Sequence, residues 1–464
     1  MNNIMKIFKF FGKISTKPFY LYTIRRISGK KDKLLNQKKI LEQIHEEDFI
    51  PSDNLKKKVT RLYVCGSIET GCLGIAKFFK NDKPLKKWQV KPYRSSFFHE
   101  NDIKILSVAA GCGFSIFATK KSNGSVAFYG CGINTDSQLG YHVLKNNNFV
   151  DYIYEPFEIR IPQNIKISSF TSFSCGRAHT AIIVNKSKIL TYGNNCHGQC
   201  GRPIVKGEIY RGNLYVHEID FTKNISKVIC GYDHTLILCE DGSIWGCGLN
   251  TDGQIGLPEN IRQCPVFTCI FPSKHDSKFV QISSKCDTTL ALNDKGQLFG
   301  FGNNEYNQFS GVHSDYTSIY EPTLLNFDYC DIDGKIIQVC ASGSNCSLLT
   351  DKGFVYTWGY GILGRGKPNE NTKYPKILPP KLFGYDYLNN EKFYKIKLID
   401  CGPNYFTAIN EFGDVYFWGT NRDGQLGLGL KIDQYFPLKI IFPAKGVNVA
   451  CGFNHYLCLS HSIV

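Results

Sequence analysis

Before Asp32 the chain has no aspartate or glutamate. Nowhere does it contain an apolar run long enough to span a bilayer. No secretory apolar core precedes the cysteines, and their number, 19, is odd. These absences argue against a membrane-spanning helix and a disulfide-stapled secreted fold. The cysteines read instead as small buried hydrophobes in a reducing compartment, Cys175, Cys230, Cys401 and Cys451 above all.

The missing acids leave residues 1–31 strongly basic, with Lys6, Lys9, Lys13, Lys17, Arg25, Arg26, Lys30 and Lys31. About half of the net charge of +15 therefore sits in that segment, and the remainder is only mildly basic. On a helix the first four lysines share one face, while Ile4, Ile7, Phe8, Phe11 and Ile14 share another. A basic amphipathic helix without acids is the pattern of a mitochondrial transit peptide. The alternative is a basic tail or a peripheral membrane helix. Three segments are expected: a transit peptide over 1–31, a charged linker over 32–57 and a folded body over 58–464.

The body is repetitive. "SCGRAHTAIIVNKSKILTYGNNCHGQCG" from Ser174 and "ICGYDHTLILCEDGSIWGCGLNTDGQIG" from Ile229 share one template. It runs Cys-Gly-x-x-His, an apolar run, a turn, an alternating run, Gly-x-Asn, then Gly-Gln-x-Gly. The glycine of Gly-x-Asn recurs at Gly66, Gly132, Gly193, Gly248, Gly302, Gly359 and Gly419. The histidine position recurs at Phe114, His179, His234, Thr288, Asn345, Tyr405 and His455. Period-two alternation and tight turns such as Asp241-Gly242 give four short strands per unit, the size of a propeller blade. The body begins with the second half of a unit at Arg61–Gly74 and ends with the first half of one at Val447–Leu459. Joined, they make one more blade. The expected fold is all-β, a closed seven-bladed propeller with one blade completed by both ends of the chain.

"GYGILGRGKP" at Gly359–Pro368 imitates a dinucleotide fingerprint and a P-loop. It aligns with "FWGTNRDGQLG", with three residues deleted, so its glycines read as turn positions of blade six. Pro368 follows Lys367 where a P-loop needs Ser or Thr, and no helix follows.

This motif set, spread over Arg61 to Ser460, resembles the repeat of the regulator of chromosome condensation superfamily. "GINTDSQLGYH" at Gly132–His142, "SCGRAHT" at Ser174–Thr180, "GNNCHGQCGR" at Gly193–Arg202, "WGYGILGRG" at Trp358–Gly366 and "DQYFP" at Asp433–Pro437 are most similar to its mitochondrial branch. The resemblance implies guanine-nucleotide exchange on the dynamin-like GTPase of inner-membrane fusion. It also implies a role in large-ribosomal-subunit assembly and rRNA upkeep in mitochondria. A propeller scaffold without exchange activity, binding rRNA or ribosome assembly proteins, is the alternative. The expected location is the matrix, with possible peripheral association with the inner membrane.

An exchange factor needs no catalytic acid, base or cofactor, so the site is a protein-binding face. Carried over by motif, the GTPase-contact candidates are Arg177, Asp233, Asp287, Asn404 and Asn454, all in Cys-Gly-x-x-His turns. Those turns are chemically mixed, and only two of the seven carry an acid. His179, His234 and His455 occupy a position that recurs once per blade, so they are expected to hold each blade's inner strand rather than to catalyse or bind metal. Cys196-His197-x-x-Cys200 resembles a metal fragment but lacks a fourth ligand. The insert Val205–Tyr215 is either a contact loop or a solvated one. For RNA the candidates are Lys86, Lys87, Trp88, Lys91 and Arg94, in what reads as the first inter-blade insert; a solvated surface is the alternative.

Overall fold

Period-two alternation becomes seven four-stranded antiparallel sheets. The structure, a computed structural model, describes residues 59–462 apart from 141–148, 214–215, 275, 310–315, 328–329 and 387–391. The transit-peptide and linker expectations lie outside the described residues.

Blade 1 draws on both ends of the folded body, in the order Ala444–Cys451, His455–Ser462, Thr60–Ser67 and Trp88–Ser95. Blade 2 starts at Lys104, blade 3 at Phe170, blade 4 at Ile225, blade 5 at Phe279, blade 6 at Ile336 and blade 7 at Ile396. Each first strand touches the first strand of the next blade, and the series returns to its start, so the ring is closed. Trp88–Ser95 is the outer strand of blade 1, not an inter-blade insert. The short hairpin of Phe79–Lys80 with Lys83–Pro84 precedes it and disguises the repeat.

The second strand of a typical blade is buried along its whole length, as at His179–Val184 and His234–Cys239. It lies between two strands of its own blade and packs against adjacent blades, so it reads as a continuous apolar run. First strands line a channel of about 570 Å³. Neighbouring first strands are stitched there by side chains on backbone. Ser174 Oγ accepts from Cys230 N at 2.9 Å, Gln338 Oε1 from Ile399 N at 3.0 Å, and Asp400 Oδ2 from Cys451 N at 2.8 Å. All 19 cysteines are unpaired, and Cys175, Cys230, Cys401 and Cys451 are buried, as expected.

The rest of the template is a self-bonded loop. The asparagine oxygen of Gly-x-Asn accepts the backbone N–H five residues on, from Leu139, Cys200, Ile255, Phe309 and Leu426. The glutamine carboxamide accepts the N–H two residues back, as Gln254 does from Asp252 at 2.9 Å. Its backbone carbonyl then receives the next blade: Thr180 bonds Gln138, Thr235 bonds Gln199, and Trp358 Nε1 bonds Gln308 at 2.8 Å. Blade 6 lacks that glutamine. Trp418 Nε1, the counterpart of Trp358 in blade 7, accordingly has no partner among the described residues.

Candidate partner-binding face

The turns between first and second strands all emerge on one face, and two glycine positions fix their shape. The glycine of Gly-x-Asn has φ between +96° and +119° in all seven copies. A Cβ there would meet the carbonyl oxygen just before the histidine position, at 2.3 Å for Gly66 and 2.2 Å for Gly302. The glycine of Cys-Gly-x-x-His lies against the histidine ring itself. A Cβ on Gly231 would stand 2.0 Å from His234 Cε1, and one on Gly176 2.2 Å from His179 Cε1. Where the ring is absent, the glycine is absent too: Lys285 goes with Thr288, and Ser342 with Asn345.

The histidines join blades. His179 Nε2 lies 3.0 Å from Thr235 Oγ1, His234 Nε2 3.0 Å from Ser284 Oγ, and His455 Nε2 2.9 Å from Ser115 Oγ. Each hydroxyl belongs to the following blade and already donates to a carbonyl, of Gln199, Thr288 and Cys72 respectively. The imidazole therefore donates through Nε2, and its buried Nδ1 has no partner among the described residues. Burial pushes the pKa down to about 4 for His179 and about 3 for His234 and His455. These are neutral structural groups. They hold the next blade rather than their own inner strand, which corrects that detail of the expectation.

The two variable turn positions differ in place. The first of them meets its neighbours near the axis: Cys112 N donates to Gly176 O, Arg177 N to Tyr232 O, Tyr232 N to Cys286 O, and Phe453 N to Gly111 O. Tyr232 and Phe453 have ring centroids 6.3 Å apart, and Phe453 is 47% exposed. Lys285, admitted by Thr288, reaches across to donate to the Cys451 carbonyl at 2.7 Å. Tyr232 and Phe453 were missed from sequence. The signal was an aromatic residue at a turn position that tolerates Cys, Gly or Pro in other copies.

Arg177 and Asp233 come together. The guanidinium forks onto the carboxylate through Nε at 3.0 Å and Nη2 at 2.8 Å. Arg177 stays half exposed while Asp233 is nearly covered, so the pair shows the arginine to a partner. Asp287 bonds Gln254 Nε2 at 3.2 Å. Burial, then the Asp252 carboxylate, push its pKa up to about 6. Asn404 is exposed and Asn454 half-buried, on the blade 7 and blade 1 side.

The shortened loop of blade 6 leaves a groove of about 670 Å³ beside the axis, running along Phe453, Asn404 and Tyr360. "GYGILGRGKP" forms its wall. It is the end of the strand Val355–Gly361 followed by a turn, and Arg365 folds back onto Glu370 and the Thr357 hydroxyl.

The RNA candidates lie on the outer strand of blade 1 or just before it. Lys86, Lys87, Lys91 and Arg94 are exposed. Trp88 is half-buried, with its Nε1 on Asp423 at 3.2 Å and the Lys431 ammonium over its ring. That face of the indole is therefore already covered. Of the insert Val205–Tyr215, the described part, 205–213, is strapped to blade 2, where the Tyr210 carbonyl accepts Ser137 Oγ and Arg211 pairs with Asp151. Cys200 is buried, with its sulfur on the Asn194 carbonyl, whereas Cys196 is exposed.

The regulator of chromosome condensation (RCC1) repeat family matches residues 241–292 and 413–459, and a second description of that repeat matches 225–254. Yeast RCC1 (Prp20), solved bound to Kap60, superposes with a TM-score of 0.68 at 18% identity, covering 91% of this chain and 92% of that one, and so shares the fold. Blade count, closure and turn motif thus define an RCC1-repeat propeller. The crystal structure of human WBSCR16 superposes with a TM-score of 0.79 at 34% identity, over 88% of this chain and all of that one. The mouse and human proteins called "RCC1-like G exchanging factor-like protein" are each 35% identical over 88% of both chains. The chain belongs to this RCC1-like G exchanging factor-like family.

Proposed function

We propose that this protein is a mitochondrial guanine-nucleotide exchange factor for the dynamin-like GTPase of inner-membrane fusion, binding it through the Cys-Gly-x-x-His face. The observation that carries the reading is the axial cluster of Tyr232, Phe453 and the forked Arg177, residue types that dominate protein interfaces, within this family's fold. Exchange follows from binding alone. A face that holds the nucleotide-free GTPase more tightly than the loaded one accelerates release, with no covalent step. The test is release of a fluorescent GDP from the purified GTPase. Acceleration is expected, and Tyr232→Ala or Phe453→Ala should reduce it about tenfold or more. No acceleration by the intact propeller would sink the reading.

A second role, in large-ribosomal-subunit assembly, is favoured by one feature. From Lys83 to Arg94 the outer strand of blade 1 and its approach contain five exposed bases and no acid. Binding to large-subunit rRNA should weaken as salt rises and fall further with Lys86→Glu, Lys87→Glu and Lys91→Glu combined. Unchanged binding in that variant would remove the patch from the role. Both roles place the protein in the matrix, at or near the inner membrane. A fusion of residues 1–31 to a fluorescent reporter tests that location by its import.

A further inference from the structure

We infer that the groove opened by the shortened loop of blade 6 takes an arginine side chain presented by a basic segment of a protein partner. In blades 3, 4 and 5 the glutamine fills the corresponding space and reaches forward to the turn of the next blade: Gln199 Nε2 to Asp233, Gln254 Nε2 to Asp287, and Gln308 Nε2 to the Gly343 carbonyl at 2.9 Å. Blade 6 has neither the three residues nor the glutamine, and the space stays open above Asn345.

The lining suits a guanidinium. Tyr306 and Tyr360 stack with centroids 5.3 Å apart and 14° between planes, and Tyr360 is 36% exposed, which offers a flat aromatic face. The same groove is lined by two carboxylates. Asp423 uses one oxygen to accept Trp88 Nε1, and Asp433 uses one to accept Asn421 N at 2.8 Å. The second oxygen of each has no partner among the described residues. Arg422 is the one basic residue of the lining, and it is exposed.

Beyond the tyrosine pair lies more negative charge. Asp252 is raised by burial and then by Glu305, and Asp287 by burial and then by Asp252, so these three acids crowd one another next to Tyr306. An arginine fits better than a lysine because its plane stacks on tyrosine while its fork reaches a carboxylate. The choice of a protein occupant rests on the partner-binding reading of this face; the groove chemistry stands apart from exchange.

The test uses the full chain and two fluorescent probes, nona-arginine and nona-lysine, titrated at about 0.15 M salt. Nona-arginine is expected to bind about fivefold or more tightly than nona-lysine. Tyr360→Ala should erase that preference. Asp423→Asn with Asp433→Asn should weaken nona-arginine by about tenfold, with the melting temperature unchanged, since each asparagine oxygen still accepts the Trp88 and Asn421 donors. Equal binding of the two peptides, or a preference that survives Tyr360→Ala, would overturn the proposal. GDP release is read separately. Protein that binds nona-arginine through Tyr360 yet releases no GDP keeps the groove and rejects the exchange reading.

Discussion

Gly231→Ala is expected to destabilise the propeller by about 4 kcal/mol or more, and by far less once His234 is also changed to threonine. The added methyl would stand 2.0 Å from His234 Cε1 and 2.5 Å from its Nε2. The ring cannot retreat, because it is fully buried and its Nε2 holds Ser284 of blade 5. Blade 5 already shows the relieved combination, with Lys285 at the glycine position beside Thr288. His234→Thr alone should cost about 2 to 3 kcal/mol through the lost bond and the space it leaves. The double variant should then lie close to that single one, so the coupling read by urea unfolding approaches the full cost of Gly231→Ala, about 4 kcal/mol. Equal damage from Gly231→Ala in both backgrounds would mean that the backbone, not the ring, demands glycine. The lock does not depend on imidazole as such: Gly402 is pressed in the same way by Tyr405, at 2.0 Å, and Gly111 by Phe114, at 2.6 Å.

Acid should unfold this protein earlier than its carboxylates alone would dictate. His179, His234 and His455 are held below their ordinary value by burial, so the folded state refuses protons that the unfolded chain accepts. Their contribution is complete above about pH 6.5 and is lost as the pH falls from there toward 4 and 3. Each proton is worth about 1.4 kcal/mol per pH unit, so three give a slope of roughly 4 kcal/mol per unit. Asp287 opposes them. Its folded pKa is raised to about 6, so the folded state takes up a proton there first and gains stability as the pH falls below 6. The net slope between about pH 6 and 4.5 should therefore be near 3 kcal/mol per unit. Urea midpoints measured across that range give the slope. Replacing the three histidines by glutamine should lower stability at pH 7 yet flatten the curve. A curve unchanged by those replacements would place the acid response elsewhere.

Much of this fold was legible because each blade writes its turn glycines into the chain. Gly66 and His455 announced the closing blade from opposite ends of the sequence, and they pair directly, as Gly66 with His455. The face was less legible. Positions such as Tyr232 and Asp233 are neighbours in sequence, and only the backbone bonds between blades show that Tyr232 lies by the axis while Asp233 turns back to Arg177. Asp287, Asn404 and Asn454 sit on the same face but make no hydrogen bond or ion pair with Arg177 or Asp233. Lys83–Arg94 was misplaced because a hairpin separates the outer strand of blade 1 from its neighbour, which breaks the spacing that made other blades recognisable. The groove could be located from the three-residue deletion at Gly361, but its acids come from blade 7 and its stacked tyrosine from blade 5. Their meeting depends on ring geometry.

The shared blade also sets the order in which the chain can become a ring. Ser460 Oγ bonds the Arg61 carbonyl, 399 residues away. Most other pairings link strands of one hairpin and can form as soon as their own segment is available, but this one needs the entire body. Closing a loop of that length costs roughly 5 kcal/mol of chain entropy. It becomes favourable only after the intervening blades have stacked and shortened the effective distance. Until then the first strand, Thr60–Ser67, which can pair early with Trp88–Ser95, waits with its other edge, the one that takes His455–Ser462, unpaired and open to association with other chains. The last strand thus acts as a checkpoint on assembly, and premature termination anywhere before it should yield an aggregating open arc rather than a smaller propeller.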